Sequence, residues 1–515
     1  MCSSDLDIPL NRLFSQFQGK MGGFTKGRDR SFHFGTNEHH IVGMISHLGP
    51  QMGVADGIAL ANKLSKQQKA TLVFTGDGGA SEGDFHESIN VAAVWDLPVI
   101  FVVENNGWGL STPSSEQFRC ESFVDKCKGY GIEGISIDGN NILEVYHTVQ
   151  KVAASIRKNP KPFLIECRSF RMRGHEEASG TKYYPEGIQN KWADKDPVVN
   201  YENFLIEEGL IDDNYINNLK NEIKAEINEG LDKAYAENPI EPNTKSEITD
   251  LFYPYSQAIT APTQNKSEKR LIDAVSDGLR LAMRKHENLV LMGQDIAKYG
   301  GVFKITEGFL EEFGPERVRN TPLCEAAIVG TGLGLSIKGM KAMVEMQFAD
   351  FVTEGFNQIV NNLAKIHWRW GQNADVVVRM PTGAGVAAGP FHSQSNEAWF
   401  THTPGLKVVY PAFPEDAKGL LLAAFEDPNP VIFFEHKALY RSLKEEVSDD
   451  YFTVEIGKAN VVKEGNDVSI ITYGMGVHWA LEALDENKEI SADLVDLRTL
   501  SPLDYDTVFA SVRKT

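Results

Sequence analysis

Cysteine is scarce in this chain of 515 residues, and basic residues are fewer than acidic ones. The five cysteines show neither CxxC spacing nor a disulfide framework, which indicates a reducing compartment and no zinc site. The 51 lysines and arginines against 71 aspartates and glutamates leave a net charge of −20. This excess of negative charge argues against nucleic acid or an anionic membrane as a partner.

Long hydrophobic runs are lacking as well. No apolar stretch approaches the roughly 20 residues of a membrane span, and the N-terminus has no apolar core of a signal peptide. We therefore expect a cytoplasmic protein that does not bind a membrane. The length suggests about three domains, each able to bury its own core.

The stretch at 71–111 carries the most information. A β-branched run at 71–75 stops at a glycine turn, 76–79, and a pattern resembling a capping box at 81–84 opens a helical spacing that reaches Trp95. A second continuous apolar run occupies 98–103. The stretch therefore predicts a strand, helix and strand with the two strands parallel and buried on both faces.

Two polar side chains follow these strands. Asp77 comes after the first strand and Asn106 after the second, and the carboxyl ends of adjacent parallel strands meet at one edge of a sheet, where ligands bind. A carboxylate, an amide oxygen and a backbone carbonyl suit Mg²⁺, and glycine amides suit phosphate. A Gly-Asp-Gly triplet alone is typical of an ordinary turn, so only its combination with the later Asn-Asn pair favours a metal and phosphate site.

The rest of the chain divides into α/β segments. We predict a first domain at 8–238, an extended linker at 239–269 with several prolines, a second domain at 270–445, and the beginning of a third at 454–515. Within the second domain, the pattern at 350–370 predicts one helix.

Three further residues are candidates by position. His175 follows a strand on the same predicted edge as Asp77, and His392 lies in a glycine-rich loop at 381–395. Glu325 stands where a loop passes into a helix made of small residues. Taken alone, each could be an ordinary loop histidine or a carboxylate at a helix junction.

Several motifs together resemble those of a known family. Gly-Asp-Gly followed by Asn-Asn, GHEEASGTKY, TPLCE and GPFHSQSNEAWFTHTPGLKVVYP resemble the decarboxylating component of thiamine-diphosphate-dependent 2-oxo acid dehydrogenases. The likeness covers about 10–512 and is greatest to the branched-chain, 2-oxoisovalerate type, with the α and β subunits fused. It implies two thiamine-diphosphate-binding parallel-sheet domains, the diphosphate-binding domain first, and a C-terminal α/β domain like that of transketolase.

The resemblance also assigns cofactor-binding residues. It implies that Asp77 and Asn106 bind Mg²⁺ through their side chains and Trp108 through its carbonyl, in place of the family's usual Tyr. It places the backbone of Gly78 and Gly79 at the diphosphate. Backbone atoms of Ser46 and Leu48 would contact the aminopyrimidine.

The same resemblance implies the reaction. Glu325 matches the glutamate that activates the cofactor, and His175 and His392 match the histidines that bind substrate and assist acyl transfer. The substrate would be a 2-oxo acid of the 3-methyl-2-oxobutanoate type, and the acyl group would pass to the lipoyl domain of a dihydrolipoyl acyltransferase. The cofactor would bridge two domains that come from different protomers of a homodimer.

The sequence is compatible with two other functions and differs from the family pattern in two places. A transketolase-like transferase would share Asp77, Asn106 and Glu325, and an inactive fragment of the dehydrogenase is a third interpretation. The family's pair of residues that grips the diphosphate has no counterpart before the first domain, and the third domain is cut short, so weak cofactor binding or incomplete folding is expected. The sequence does not separate branched-chain substrates from pyruvate or acetoin.

Overall fold

Continuous apolar runs form the buried strands of this protein, as expected for parallel sheets covered on both faces. The computed structural model describes residues 6–30, 33–43, 45–176 and 178–515. The chain divides into two compact units, Met1–Thr244 and Lys245–Thr515. Each unit has its own sheets and its own hydrophobic core.

The first unit contains a four-stranded parallel sheet in the order β1-β2-β6-β5. Its strands are β1 (Thr71–Gly76), β2 (Val99–Asn105), a small hairpin of β3 (Trp108–Gly109) and β4 (Thr112–Pro113), β5 (Glu133–Asp138) and β6 (Phe163–Arg168). Its helices are α1 (Leu10–Gln18), α2 (Pro50–Leu64), α3 (Gly83–Val94), α4 (Val124–Tyr130), α5 (Ile142–Lys158), α6 (Ile188–Ala193), α7 (Pro197–Glu207) and α8 (Asp213–Tyr235). The predicted parallel pairing of the first two strands is confirmed.

The start of α3 differs from the sequence prediction. A 3-10 turn at Gly79–Ser81 precedes the helix, Glu82 is the N-cap residue, and no side chain caps the helix. The hydroxyl of Ser81 donates instead to Gln117 Oε1 at 3.4 Å. The capping box expected at 81–84 is therefore wrong, because the tight turn after the glycines moves the serine one residue too far from the helix.

The second unit is built on a seven-stranded sheet in the order β18-β12-β13-β11-β10-β8-β9, parallel except for β18. The strands of the unit are β7 (Lys266–Arg270), β8 (Leu289–Gly293), β9 (Val318–Asn320), β10 (Lys341–Glu345), β11 (Val376–Thr382), β12 (Lys407–Val409), β13 (Val431–His436), β14 (Lys444–Ser448), β15 (Asn460–Lys463), β16 (Val468–Thr472), β17 (Ala492–Asp496) and β18 (Thr499–Ser501). β7 pairs with β14, and β15, β17 and β16 form a separate three-stranded sheet.

Helices cover this unit, beginning with α9 (Thr244–Thr249) at the boundary between the two units. The others are α10 (Leu271–Lys285), α11 (Phe309–Phe313), α12 (Glu325–Ile337), α13 (Val352–Asn357), α14 (Ile366–Trp370), α15 (Glu397–Thr401), α16 (Pro414–Glu426), α17 (Leu439–Ser442), α18 (Met475–Glu486) and α19 (Tyr505–Lys514). No helix in the described part of the chain combines the length and the apolar character needed to cross a membrane.

The single helix predicted at 350–370 is wrong in detail. The segment consists of a 3-10 turn at Ala349–Phe351, then α13, a π-helical stretch at Gln358–Leu363, and α14. The carbonyl of Ala364 lies so close to Gly405 that a Cβ on that glycine would collide with it. This approach to a neighbouring loop is a tertiary contact that a helical hydrophobic pattern does not reveal.

The segment predicted as an extended linker, 239–269, contains α9 and β7, and its middle has no regular secondary structure. That middle part is nevertheless bonded to the second unit. The side chain of Gln257 exchanges two hydrogen bonds of 2.9 Å with the backbone of Ile456, and the backbone N–H of Tyr253 donates to Asn429 Oδ1 at 2.7 Å. We call residues 252–264 the strap.

Candidate active site

Asp77 and Asn106 lie at one edge of the first unit's sheet. β1 and β2 run parallel with Gly76 opposite Glu104, so the residues that follow the two strands come out side by side. Asp77 is only 1% exposed, and no basic residue in the described ranges forms an ion pair with it. A buried carboxylate without a cationic partner is costly, so this arrangement suits a bound cation.

The loop after β2 is shaped by its own side chains. Asn105 Oδ1 accepts from the N–H of Gly107 at 3.1 Å, and Asn106 Oδ1 accepts from the N–H of Trp108 at 3.0 Å. The hydroxyl of Ser114 donates to Asp77 Oδ2 at 2.6 Å, which ties the far end of the loop to the turn after β1. The turn that carries Asp77 and the loop that carries Asn106 are thus joined at the carboxyl ends of β1 and β2.

The glycine turn after β1 approaches this loop closely. A Cβ on Gly78 would lie 3.0 Å from the Cα of Gly109, and a Cβ on Gly79 would lie 2.5 Å from Thr75 Oγ1. Gln117 fills the space beside Gly109, where a Cβ would overlap its side-chain amide. Only glycines fit here, and a backbone without side chains leaves its N–H groups open to an anion.

These donors fit the Mg²⁺ and diphosphate expected from the sequence. Mg²⁺ prefers oxygen ligands and usually keeps phosphate oxygens in its coordination shell. Within the described residues no three histidine, cysteine, aspartate or glutamate side chains are grouped to hold a metal. The site expected from the sequence at Asp77, Asn106 and the carbonyl of Trp108 would be of a different kind, because it would have a single carboxylate.

The loop before α2 carries Ser46 and Leu48, both exposed. Leu48 borders the glycine turn, since a Cβ on Gly79 would lie 3.6 Å from the Cβ of Leu48. Gly49, with φ of +99°, turns the chain into α2, which begins at Pro50. The loop is therefore next to the glycine turn that follows β1.

His175 lies in the loop after β6, whose carboxyl end is at the same edge because β6 runs parallel to β2. Its Nδ1 is 3.2 Å from one guanidinium nitrogen of Arg171. The other terminal nitrogen of Arg171 donates to the carbonyl of Leu110 at 2.7 Å and to Tyr183 Oη at 3.0 Å. The ring of Trp108 packs against Tyr183 at 5.7 Å between centroids. Arg171 thus joins the histidine loop to the loop that follows β2.

The second unit places Glu325 at the first turn of α12, in the connection that follows β9. Gln294, the residue directly after β8, donates from Nε2 to Glu325 Oε1 at 2.9 Å. The carbonyl of Glu325 is packed against Gly355, where a Cβ would lie 3.1 Å away. The carboxylate is half-buried and held by one amide, which leaves its second oxygen available to a ligand.

His392 lies in a 3-10 turn, Pro390–His392, in the connection that follows β11. Its ring meets the rings of Phe348 and Phe351 edge to face at 4.8 and 5.5 Å. Asp350, between those phenylalanines, accepts from the backbone N–H of Gln394 at 3.1 Å. The ring of His392 is therefore positioned by two phenylalanine rings, and its loop is fixed by the hydrogen bond of Gln394 to Asp350.

The structure groups the sequence candidates in two sets. Metal, diphosphate and histidine candidates share one sheet edge in the first unit, whereas Glu325 and His392 follow the carboxyl ends of strands in the second. Sequence reasoning missed Ser114, Gln117, Arg171, Gln294 and Lys437. Gln294 and Lys437 directly follow buried strands and could have been found by that rule, whereas the other three carry no sequence signal.

Three protein-family models match this chain. The model described as "Dehydrogenase E1 component" matches residues 4–243, "Transketolase, pyrimidine binding domain" matches 268–442, and "Transketolase, C-terminal domain" matches 457–515. Together with the parallel sheets, these matches confirm the predicted fold class of two α/β domains followed by a transketolase-like C-terminal domain.

Curated proteins from two bacteria are similar to about half of the chain. The 2-oxoisovalerate dehydrogenase subunit beta of Bacillus subtilis (strain 168) is 48% identical over 248 residues, which cover 47% of this chain and 76% of that protein. The pyruvate dehydrogenase E1 component subunit beta of the same organism is 46% identical, covering 48% and 78%. The subunit of that name from Staphylococcus aureus (strain N315) is 42% identical, with the same coverage.

Proposed function

Because this chain belongs to the family of 2-oxo acid dehydrogenase E1 components, we propose that it oxidatively decarboxylates a branched-chain 2-oxo acid and passes the acyl group to the lipoyl group of a dihydrolipoyl acyltransferase. The substrate is of the 3-methyl-2-oxobutanoate type. The relatives include both a 2-oxoisovalerate and a pyruvate dehydrogenase subunit, so the choice between these substrates is the part of the proposal that experiment must decide.

One observation carries the proposal most strongly. The first unit brings to a single sheet edge a buried carboxylate that forms no ion pair among the described residues, an amide side chain and a glycine turn. A hard cation and a diphosphate are the ligands that such a combination suits. An ordinary turn would not require the glycine at 78 to meet the neighbouring loop so closely.

The residues that would hold the cofactor follow from this arrangement. Asp77 and Asn106 would bind Mg²⁺ through their side chains and Trp108 through its carbonyl. The N–H groups of Gly78 and Gly79 would bind the diphosphate. Backbone atoms of Ser46 and Leu48 would contact the aminopyrimidine.

When bound, thiamine diphosphate supplies a carbon nucleophile and an electron sink for the loss of CO₂. Glu325, whose second carboxylate oxygen is not bonded by Gln294, would exchange a proton with the pyrimidine of the bound cofactor. His175 and His392 bind the substrate and move protons during acyl transfer, a task that imidazole suits near neutral pH. Arg171 orients His175 from its Nδ1 side.

We also propose that the chain acts as a homodimer. The family resemblance assigns the diphosphate end and the pyrimidine end of one cofactor to different protomers. A dimer would then be a condition of activity, and the activity per chain would fall on dilution below the dissociation constant of the dimer.

The experiment that tests the function is a substrate comparison. With thiamine diphosphate, Mg²⁺ and an artificial electron acceptor, we expect kcat/KM for 3-methyl-2-oxobutanoate to exceed that for pyruvate by about tenfold or more, because extra methyl groups fill an apolar pocket. A higher value for pyruvate would refute the branched-chain assignment. Turnover of ketose phosphates alone would refute the dehydrogenase assignment.

The role of Glu325 provides an internal control for that experiment. We expect Glu325→Gln to lower kcat about a hundredfold or more, because loss of a general acid–base group commonly costs that much. Calorimetry should show that the variant still binds the cofactor. Glu354→Gln, which changes an exposed glutamate on α13, should match the unmodified enzyme in both measurements; an equal loss there would show that the assay responds to general damage.

A further inference from the structure

Lys437 is a buried cation at the ligand-facing edge of the second unit. It directly follows β13, its backbone N–H donates to the carbonyl of Thr382 at 3.0 Å, and it is only 3% exposed. Its ammonium lies 5.3 Å from the ring centroid of Phe348. Burial lowers the pKa of Lys437 to about 8, and the negative charge of Asp350 opposes that change.

Three buried polar atoms at this place lack a hydrogen-bond partner among the described residues: Lys437 Nζ, Asp350 Oδ2 and Asn396 Oδ1. Asp350 and Asn396 are only 6% and 2% exposed. The amide of Asn396 also donates to the carbonyl of Ala349 at 2.8 Å, so it lies beside Asp350. The negative charge of Asp350 acts on the Lys437 ammonium, and a water molecule between the donor and the acceptors would satisfy these atoms, as buried waters commonly do.

The same residues hold the loop that carries His392. Asp350 Oδ1 accepts from the N–H of Gln394, and Gln394 accepts in turn from Thr382 Oγ1 at 3.1 Å. Phe348, which neighbours the ammonium on one side, meets the His392 ring edge to face at 4.8 Å on another. A shift of Asp350 would therefore disturb the loop of His392, and a shift of Phe348 would disturb the contact with the histidine ring.

We propose that Lys437 and Asp350 form a buried charge pair, bridged by water, that positions His392 for acyl transfer. The physical reason is that a buried carboxylate without a cation must move to solvent or take up a proton. Either response weakens its bond to Gln394 and loosens the loop. Lys437 is a positioning residue here, and the part of the inference that concerns acyl transfer rests on the proposed function.

Hydrogen exchange tests the pair without requiring activity. In the full-length protein, Lys437→Met should speed amide exchange in the segment 383–395 about tenfold, which corresponds to the loss of one hydrogen bond to a charged group. The double variant Lys437→Met with Asp350→Asn should return exchange close to the original rate, because no unpaired charge remains. No change in the single variant, or no recovery in the double variant, would overturn the pairing.

Lys418→Met is the matched control. Lys418 is also fully buried and pairs with Asp277 at 2.7 Å, but that pair joins α16 to α10 and not to the loop of His392. We expect this variant to have a lower free energy of unfolding. The ratio of amide exchange rates between the segment 383–395 and the strands β11 and β13 should stay the same as in the unmodified chain. Equal acceleration of that segment in both variants would show a general effect of losing a buried lysine, which would overturn the proposal.

A second measurement keeps the test decisive if Lys437→Met does not fold. Opening of the loop takes Asp350 away from Lys437, so the open form holds the lysine's proton less tightly than the closed form, in which the pKa of Lys437 is about 8. In the unmodified chain, protection of 383–395, after correction for intrinsic exchange, should therefore fall as pH rises from about 6 to 8 and then level off. The titratable groups that act on Lys437 by charge are Asp350 and His436, and burial lowers the pKa of His436 to about 4. His392 neighbours Lys437 only through the ring of Phe348. If protection is constant over this range, or if Asp350→Asn shows the same fall, the proposal fails.

Activity measurements then address the role of the histidine. Lys437→Met should slow acyl transfer to a lipoyl domain about tenfold by misplacing His392, and it should slow reduction of an artificial electron acceptor by a smaller factor. Equal losses in both reactions would overturn the link to acyl transfer. A chain that decarboxylates no 2-oxo acid would refute the proposed function and still leave the exchange results interpretable.

Discussion

Asp496 is a buried carboxyl group at the end of β17, with one oxygen, Oδ2, that has no hydrogen-bond partner among the described residues. Burial raises the pKa of Asp496 to about 7, against the effect of the Arg498 N–H, which donates to Oδ1 at 3.1 Å. Asp416 on a neighbouring helix adds to the increase. The folded state therefore keeps this proton at a pH where the unfolded chain has lost it.

The sign of the pH effect follows from proton binding. Between about pH 4 and 7 the folded state binds more protons at Asp496, so this group lowers the free energy of unfolding by up to about 1.4 kcal/mol per pH unit as pH rises. Asp496→Asn should remove this decrease in the free energy of unfolding with rising pH. We expect urea unfolding to show the variant more stable than the unmodified chain at pH 8 and with a smaller or no advantage at pH 5. Asp485→Asn, on the exposed side of α18, should show no such pH-dependent difference. If the stability difference between Asp496→Asn and the unmodified chain is the same at pH 5 and pH 8, the raised pKa of Asp496 is wrong.

At the level of elements, apolar runs and strand ends were predictable, whereas helix interiors and caps were less so. β2 appears where the apolar run is continuous, because a strand buried on both faces needs no alternation. β1 lies at the edge of the sheet and alternates between buried and partly exposed residues, so the burial of both its faces expected from the sequence is wrong. Asp77 and Asn106 were found because a ligand edge follows from strand direction alone. The π-helical stretch at 358–363, the cap at Glu82 and the bond from Ser114 to Asp77 depend on contacts between distant segments, which hydrophobic periodicity does not encode.

Gly405 tests how the π-helical element is held. Its φ is +94°, and a Cβ would collide with the carbonyl oxygen of Ala364, at the end of the π-helical stretch. Gly405→Ala should therefore lower the free energy of unfolding by more than the roughly 1 kcal/mol that a left-handed glycine position alone commonly costs. Gly371→Ala is the matched control, because Gly371 has φ of +79° and open space around its Cβ position. Equal losses in the two variants, measured by urea unfolding, would show that the contact with Ala364 is unimportant.

At the level of the whole molecule, the region between the two units is not uniform. Residues 238–243 have no regular structure, whereas the strap at 252–264 exchanges backbone and side-chain hydrogen bonds with the second unit. The composition of the strap, with its prolines and few periodic apolar residues, matches that of a free linker. Its hydrogen bonds to Asn429, Thr453 and Ile456 distinguish the strap from a free linker. These partners lie more than a hundred positions later in the chain.

Limited proteolysis of the intact chain should reveal this difference. Because protection depends on local opening, an unspecific protease should cut within 238–243 before it cuts the strap. Gln257→Ala removes two hydrogen bonds to Ile456, each worth about 1 kcal/mol, so the strap should open and be cut about tenfold faster or more. Gln264→Ala changes an exposed glutamine at the end of the same segment and should leave the cleavage pattern unchanged. If the strap of the unmodified chain is cut first, its hydrogen bonds do not protect it from the protease. The protease-resistant part of the second unit would then begin near β7 and not near α9.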